Sequence, residues 1–117
     1  MKGLYPAVFK YDDVKRQWDF YFPDFEEIIM YGGGFNLYEA FWRAEDIINS
    51  VLYKYELLKK DIKRPSNIQD IELKSGEEVH LIRVNTKGYM RYQKIISYLQ
   101  LQQEIAESPE IIPVPLN

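Results

Sequence analysis

The hydrophobic pattern of the chain changes period at Asn36, from the two-residue repeat of strands to the 3.6-residue repeat of a helix, so the fold must combine both. Before that point apolar and aromatic residues recur at every second position. Tyr5, Ala7, Phe9 and Tyr11 alternate with Val8 and Lys10, and Trp18, Phe20 and Phe22 alternate with Asp19 and Tyr21. Side chains two apart share one face of an extended strand, so "LYPAVFKY" (Leu4–Tyr11) and "WDFYF" (Trp18–Phe22) read as a hairpin joined by the charged link Asp12–Gln17. Pro6 suits an edge strand or the start of one. Pro23 has no amide hydrogen for a ladder and should stop the second strand, with a third short strand, Ile28–Tyr31, following the Glu26-Glu27 turn.

From Asn36 onward Leu37, Ala40, Phe41, Ala44, Ile47, Ile48, Val51, Leu52 and Tyr55 fall on one helical stripe. Asn36 and Glu39 have the spacing of a capping box, in which the asparagine accepts from a free helix amide and the glutamate reaches back. The helix should run to about Lys60, where Lys59 and Lys60 complement its negative end. So broad a stripe needs a sheet to cover it, and the preceding strands supply one.

Asp61–Glu78 is a polar connection broken by Pro65 and Gly76, and "VHLIRVN" (Val79–Asn85) is a fourth strand in which Val79, Leu81 and Arg83 alternate with His80, Ile82 and Val84. After Thr86-Lys87-Gly88 a second helix is expected over Tyr89–Glu107, with Ile95, Ile96, Leu99 and Ile105 as a thinner stripe. The end, "SPEIIPVPLN", has three prolines and reads as an extended tail exposing Ile111, Ile112, Val114 and Leu116. The expected fold is α+β: a three-stranded antiparallel sheet plus a fourth strand packed against one long helix, followed by a C-terminal helix. The expected division is residues 1–88 for that domain and 89–117 for the second helix and tail.

With 117 residues the chain has room for one modest core, which points to binding or to simple chemistry. It has no cysteine and one histidine, so disulfides, thiolate metal sites and thiol nucleophiles are excluded and no histidine dyad can form. No cofactor is implied. Nothing approaches the roughly 20 apolar residues of a membrane helix, and the N-terminus has no secretory pattern, so a soluble cytoplasmic protein is expected. The net charge of −3 lies wholly in the first half, because residues 1–62 carry eight Lys/Arg against eleven Asp/Glu and the remainder carries seven of each.

Three features invite a chemical reading. Gly32–Gly34 could cradle a phosphate, but a P-loop continues with Lys-Ser or Lys-Thr and a dinucleotide loop is GxGxxG, whereas Phe35-Asn36-Leu37 follows here. The glycines therefore read as a strand-to-helix turn. The carboxylates Asp19, Asp24, Glu26 and Glu27 could hold magnesium or act as an acid/base pair, which defines a nuclease alternative. Asp24 reads instead as bonding the backbone of its own turn, and Glu26 and Glu27 as solvated. His80 is read as a strand histidine facing solvent or a partner. Tyr21 and Tyr31 are placed on the open face of the sheet, and Tyr38, Trp42 and Tyr53 beside the helix stripe, where exposed aromatics suit an interface.

In order and spacing, "YPAVF", an aromatic strand ending "FPDF", a glycine-preceded amphipathic helix, "IKRPS" and the closing "VHLIRVN" resemble the HicB family of antitoxins over Leu4 to about Lys94. The resemblance implies a βββαβ domain likened to a partial ribonuclease H fold. It also implies a non-enzymatic role: masking a HicA-like toxin, a small protein that cleaves messenger RNA. Pro23 and Asp24 take the place of the family's strand-ending Pro-Asp pair, Gly34 that of the glycine before the helix, and Pro65 and Ser66 that of the Pro-Ser after it; Asn36 caps the helix. Where the family usually continues Pro-Asp with a residue and then Pro-Gly, this chain has Phe25-Glu26-Glu27. Many members add a DNA-binding module that represses their operon. No ribbon-helix-helix pattern can be laid on Thr86–Asn117, so DNA contact would fall to Arg91 and Lys94, and to a dimer. Opposite charge favours a basic partner, with Asp12, Asp13, Asp19, Tyr21, Glu26 and Glu27 as candidate toxin contacts. A homodimer or higher homo-oligomer is expected from the open sheet edge and the apolar tail.

Overall fold

Alternation at the start of the chain makes β1 (Lys2–Asp12) the strand around which the sheet is built. Then come β2 (Gln17–Tyr21), β3 (Tyr31–Gly34), α1 (Leu37–Leu57), a 3-10 turn at Ile68–Asp70, β4 (Glu77–Asn85) and α2 (Thr86–Glu107). The computed structural model describes residues 1–28 and 31–107, so the Ile111–Leu116 tail lies outside the described residues. Two compact units divide after Thr86. The first contains one four-stranded antiparallel sheet in the order β3-β2-β1-β4.

That order corrects the expected three strands plus one. β4 pairs with β1 from Lys2↔Asn85 to Lys10↔Glu77, a longer ladder than β1 makes with β2 (Val8↔Tyr21 to Asp12↔Gln17). β1 is therefore central, and Pro6 is neither on an edge nor at a strand start. It is tolerated because the β1–β2 ladder begins only at Val8, leaving β4 alone beside it at Leu81.

The third strand is also displaced. Ile28 joins the core, residues 29–30 lie outside the described residues, and the strand begins at Tyr31 and consists mainly of the three glycines. They are strand, not a turn; only Gly34, at φ +142°, bends the chain toward the helix. Packing overrides the poor strand propensity of glycine. A Cβ on Gly33 would lie 2.7 Å from Cβ of Ala40 and 2.8 Å from the Trp18 carbonyl, so the strand can lie this close to α1 only without a side chain.

One face of the sheet carries Tyr5, Ala7, Phe9, Phe20, Ile82 and Val84, and α1 covers it with Ala40, Ala44, Ile48 and Leu52. Phe22, Phe25 and Ile28 extend this core past the end of β2. Alanines at 40 and 44 let the helix approach the glycine strand, while Ile48 and Leu52 fill the wider space beyond. Each such large buried aliphatic contributes roughly 1.5–3 kcal/mol over its exposed state. Tyr11, expected with this set, is exposed and instead meets Trp18 at 5.6 Å between ring centres.

The helix cap is Asn36, whose Oδ1 accepts from the Glu39 amide at 2.8 Å. Glu39 reaches back one residue further than a capping box requires and accepts from the Phe35 amide at 3.1 Å. α1 ends at Leu57, three residues before Lys60. Lys59 adopts the left-handed conformation at φ 53°, and the Lys60 and Lys59 amides donate to the carbonyls of Tyr55 (2.9 Å) and Glu56 (3.1 Å). This is a Schellman ending with lysine where glycine is usual.

Asn49 joins the helix to the sheet. Its amide nitrogen donates to the carbonyls of Glu45 (2.7 Å) and Arg83 (3.1 Å), and its Oδ1 accepts from the Asn85 amide at 2.7 Å. A carbonyl and an amide two residues apart point the same way along a strand, so one buried side chain satisfies adjacent groups of β4. α2 begins at Thr86 and not after Gly88, following β4 directly. The Thr86 amide donates to the Met1 carbonyl at 3.1 Å, and its hydroxyl donates to Glu56 Oε1 at 2.7 Å. No described helix is long and apolar enough to cross a membrane.

Candidate functional site

The β1–β2 turn is shaped by its own polar residues. Asp12 Oδ1 accepts from the amides of Val14 (2.9 Å) and Lys15 (3.1 Å), a side-chain-closed turn that ends at Arg16 in the left-handed region, φ 55°. Chiefly the Lys15 amide bond holds the Asp12 carboxyl below its ordinary range. Two residues into β2, Asp19 accepts from Gln17 Nε2 at 2.8 Å.

On the sheet face turned away from α1, this turn forms the rim of a concavity of about 450 Å³. Val8 and Tyr21, paired across β1 and β2, contribute its apolar lining. Asp12, Asp13, Asp19 and Glu77 surround it against the single ammonium of Lys10. Tyr21 has its phenol pKa raised, first by burial and then by the charge of Glu77 and a hydrogen bond to it. Tyr21 therefore stays neutral and can donate at any physiological pH. Four carboxylates around an aromatic and aliphatic lining suit a cationic side chain, whose stem can lie on Val8 and Tyr21.

Four of the six candidate contact residues, Asp12, Asp13, Asp19 and Tyr21, thus come together, while Glu26 and Glu27 lie elsewhere. Glu26 is exposed in the turn after Pro23. Glu27 accepts a hydrogen bond from the Tyr55 hydroxyl, which holds its carboxyl low and pushes the Tyr55 phenol up to about 12. The ammonium of Lys60 lies 4.2 Å above the Tyr55 ring. Glu77, read in the sequence as connection, belongs to the concavity because it pairs with Lys10; only the β1–β4 register discloses it.

Two expectations are corrected. Asp24 does not bond its own turn. Its carboxylate is buried and accepts from the Ser66 amide (2.9 Å) and the Ser66 hydroxyl, with Lys63 Nζ at 3.3 Å. Pro-Asp and Pro-Ser are thereby two halves of one clasp, which fixes the connection after α1 together with a 2.6 Å bond from the Tyr5 hydroxyl to the Lys63 carbonyl. His80 does not simply face outward. It shares the helix-side face with Ala7, stands edge-on to Phe9 and Phe41 at 5.6 and 5.8 Å, and has Glu78 Oε1 2.9 Å from Nε2.

A second surface lies at the start of α1. Phe35 and Tyr38 are each 82 % exposed and Trp42 63 %. Leu37, Tyr38, Phe41, Trp42 and Glu45 line a shallow depression there. Aromatics this exposed are common at interface centres and unusual elsewhere. The i, i+4 spacing of Tyr38 and Trp42 off the core stripe is the signal that marks them in the sequence. The Tyr31 side chain is outside the described residues. Arg91 and Lys94 are exposed, one turn apart on α2. Among the described residues no group of three or more acidic, histidine or cysteine side chains could hold a metal ion.

No family model matches the chain, and no curated protein matches it. Among solved structures it is similar to a chain of a toxin-antitoxin complex from Streptococcus pneumoniae, with a TM-score of 0.68 and 19 % identity. The alignment covers 100 % of this chain and 81 % of that one. At that identity the likeness establishes a shared fold.

Proposed function

We propose that the chain is a HicB-like antitoxin, which binds and occludes a small basic HicA-like toxin that cleaves messenger RNA. The observation that carries this reading is the fold shared over the full chain with a component of a toxin-antitoxin complex. The acidic concavity agrees with it, since a ligand of RNA must itself be basic and an anionic surface both steers and matches such a partner. The mode of action is occlusion without catalysis, in the cytoplasm, by a homo-oligomer. Contact runs through Asp13, Asp19, Tyr21 and Glu77, whereas Asp12 shapes the turn.

The test is to look for a short basic protein encoded beside this chain and to co-express the two; absence of such a neighbour counts against the reading. Such a protein alone should arrest growth, and this chain should relieve the arrest. Reversing Asp13, Asp19 and Glu77 to lysine together should abolish relief while leaving the fold intact by circular dichroism. Unchanged relief would remove the concavity as the contact surface, and arrest that the unaltered chain cannot relieve would remove the antitoxin reading. The rival, an autorepressor using Arg91 and Lys94, predicts a gel shift on its own promoter at low salt that is lost when both become alanine.

A further inference from the structure

β4 is an edge strand, and only the ends of its outer side are closed. Successive residues of an antiparallel strand turn their backbone groups toward opposite neighbours. The Thr86 amide donates to the Met1 carbonyl on the β1 side, so the even residues of β4 face β1 and the odd ones, from Glu77 to Asn85, face outward. Pro6, which has no amide hydrogen, accordingly sits opposite Leu81. At one end of the outer side Asn49 holds the Arg83 carbonyl at 3.1 Å and the Asn85 amide at 2.7 Å. At the other end the Glu77 amide donates to the Lys74 carbonyl at 3.1 Å. Among the described residues nothing bonds the outward amides and carbonyls of Val79 and Leu81, the Arg83 amide or the Glu77 carbonyl. Free donors and acceptors between two closed ends make a place for one more short strand.

The order of side chains along β4 says which strand fits. When β4 is paired antiparallel with its own copy so that His80 meets His80 across a two-fold axis, Val79 lies opposite Leu81 and their free groups bond each other. The free Arg83 amide then faces the free Glu77 carbonyl, and the two groups already held, the Arg83 carbonyl and the Glu77 amide, face each other and need no further partner. On the sheet face turned away from α1, Glu77 falls opposite Arg83 on each side of the axis, and Leu81, 42 % exposed, is covered by Val79. Arg83 uses Nη2 for Glu45, at 3.1 Å, and has other donors for the second carboxylate. On the helix side Glu78 falls beside Ile82, so no carboxylates are opposed. Shifting the register by two residues would set Arg83 against Val79 and would need the carbonyl that Asn49 holds. A basic strand from another protein would set its charges against Arg83 as well as Glu77, whereas a second copy matches both.

We propose that the outer edge of β4 pairs with the same edge of a second copy, Val79 with Leu81 and Glu77 with Arg83, joining two sheets into one across a two-fold axis at His80. The inference gives a surface to the homo-oligomer put forward above and does not depend on the toxin's identity.

The test is sedimentation equilibrium of the full chain up to about 100 μM, since self-association follows mass action. The wild type should sediment as twice 14.0 kDa. Arg83→Glu and Glu77→Arg each oppose like charges on both sides of the axis and should weaken the dimer about tenfold, while the double variant restores the match and should recover it. Leu81→Pro removes an outward amide without touching the ladder to β1 and should sediment at 14.0 kDa. Trp18 and Trp42 both lie in the first unit, so unchanged tryptophan emission shows that its fold is intact. In hydrogen exchange the Val79 and Leu81 amides of the wild type should gain protection as protein concentration rises, a signature specific to this edge. A monomeric wild type, a dimer that survives Leu81→Pro or leaves those two amides unprotected, or a double variant as weak as the single ones would overturn the proposal. Protection that appears only when a toxin is added would also overturn it, by giving the edge to another protein's strand. A monomeric wild type that still relieves toxin arrest would overturn it while leaving the antitoxin reading in place.

Discussion

The Asp24 carboxylate and Ser66 stand 42 positions apart in the chain, yet the carboxylate accepts both the Ser66 amide, at 2.9 Å, and the Ser66 hydroxyl. Among the described residues Asp24 is the buried carboxylate, and Lys63 Nζ approaches it at 3.3 Å. Asp24→Ala leaves the Ser66 amide without its acceptor and the connection after α1 without its anchor. The expected loss is about 2–4 kcal/mol in urea unfolding. Ser66→Ala should cost about half as much, and the double variant less than the sum. Strict additivity would show that the clasp does not act as a unit.

Asn49 is buried on α1 and satisfies the Arg83 carbonyl and the Asn85 amide together. Asn49→Leu adds apolar volume but leaves both groups unpaired, so stability should fall by about 2–3 kcal/mol. Hydrogen exchange at the Asn85 amide should accelerate more than at Ile82, which lies in the core. Equal acceleration at both positions would mean that Asn49 acts only through global stability.

Gly33 lies where a Cβ would press on Ala40 and on the Trp18 carbonyl. Gly33→Ala should therefore destabilise by about 1–3 kcal/mol, the range for overpacking. Gly33→Ala should recover part of that loss in the Ala40→Gly background, where the space opens. Gly32→Ala should be milder, because the atoms it meets belong to the flexible Gln17 side chain.

The Tyr55–Glu27 hydrogen bond links stability to pH at both ends. The Tyr55 phenol is raised to about 12 in the folded state against its ordinary value of 10.0, so the folded chain holds this proton more tightly. Its contribution is full below pH 10.0 and is lost as pH rises toward about 12. Glu27 is lowered, so its contribution is present above its ordinary value of 4.5 and is lost as pH falls through the folded value. Tyr55→Phe should flatten both limbs of the stability profile and delete the highest tyrosine step from an alkaline spectrophotometric titration. A titration that retains that step would assign it to another tyrosine.

Legibility in the sequence followed the range of the interactions. The hairpin, the Asn36 cap and α1 could be read because their signals lie within a few residues of one another. The open-face placement of Asp19 and Tyr21 could be read for the same reason, since alternation within β2 is enough to assign it. The misreadings share the opposite character. The three glycines look like a turn until Ala40 is seen against Gly33. Asp24 looks like a turn residue until Ser66 is beside it. His80 looks exposed until β4 is registered against β1, which turns the ring toward Phe9 and Phe41.

By itself the sequence determined that most of β1, β2 and β4 is extended and most of α1 and α2 helical, and that an α+β layer must result, because a two-residue period and a 3.6-residue period each place side chains on a face through local geometry alone. Only the tertiary structure decided that β4 completes the sheet beside β1, that Glu77 joins Asp12, Asp13, Asp19 and Tyr21 around one concavity, and that Glu26 and Glu27 do not. Strand order and register depend on contacts between residues far apart in the chain, such as Lys10 with Glu77 and Asn49 with Asn85. Such contacts are selected by the joint packing of a whole layer, and no local pattern encodes them.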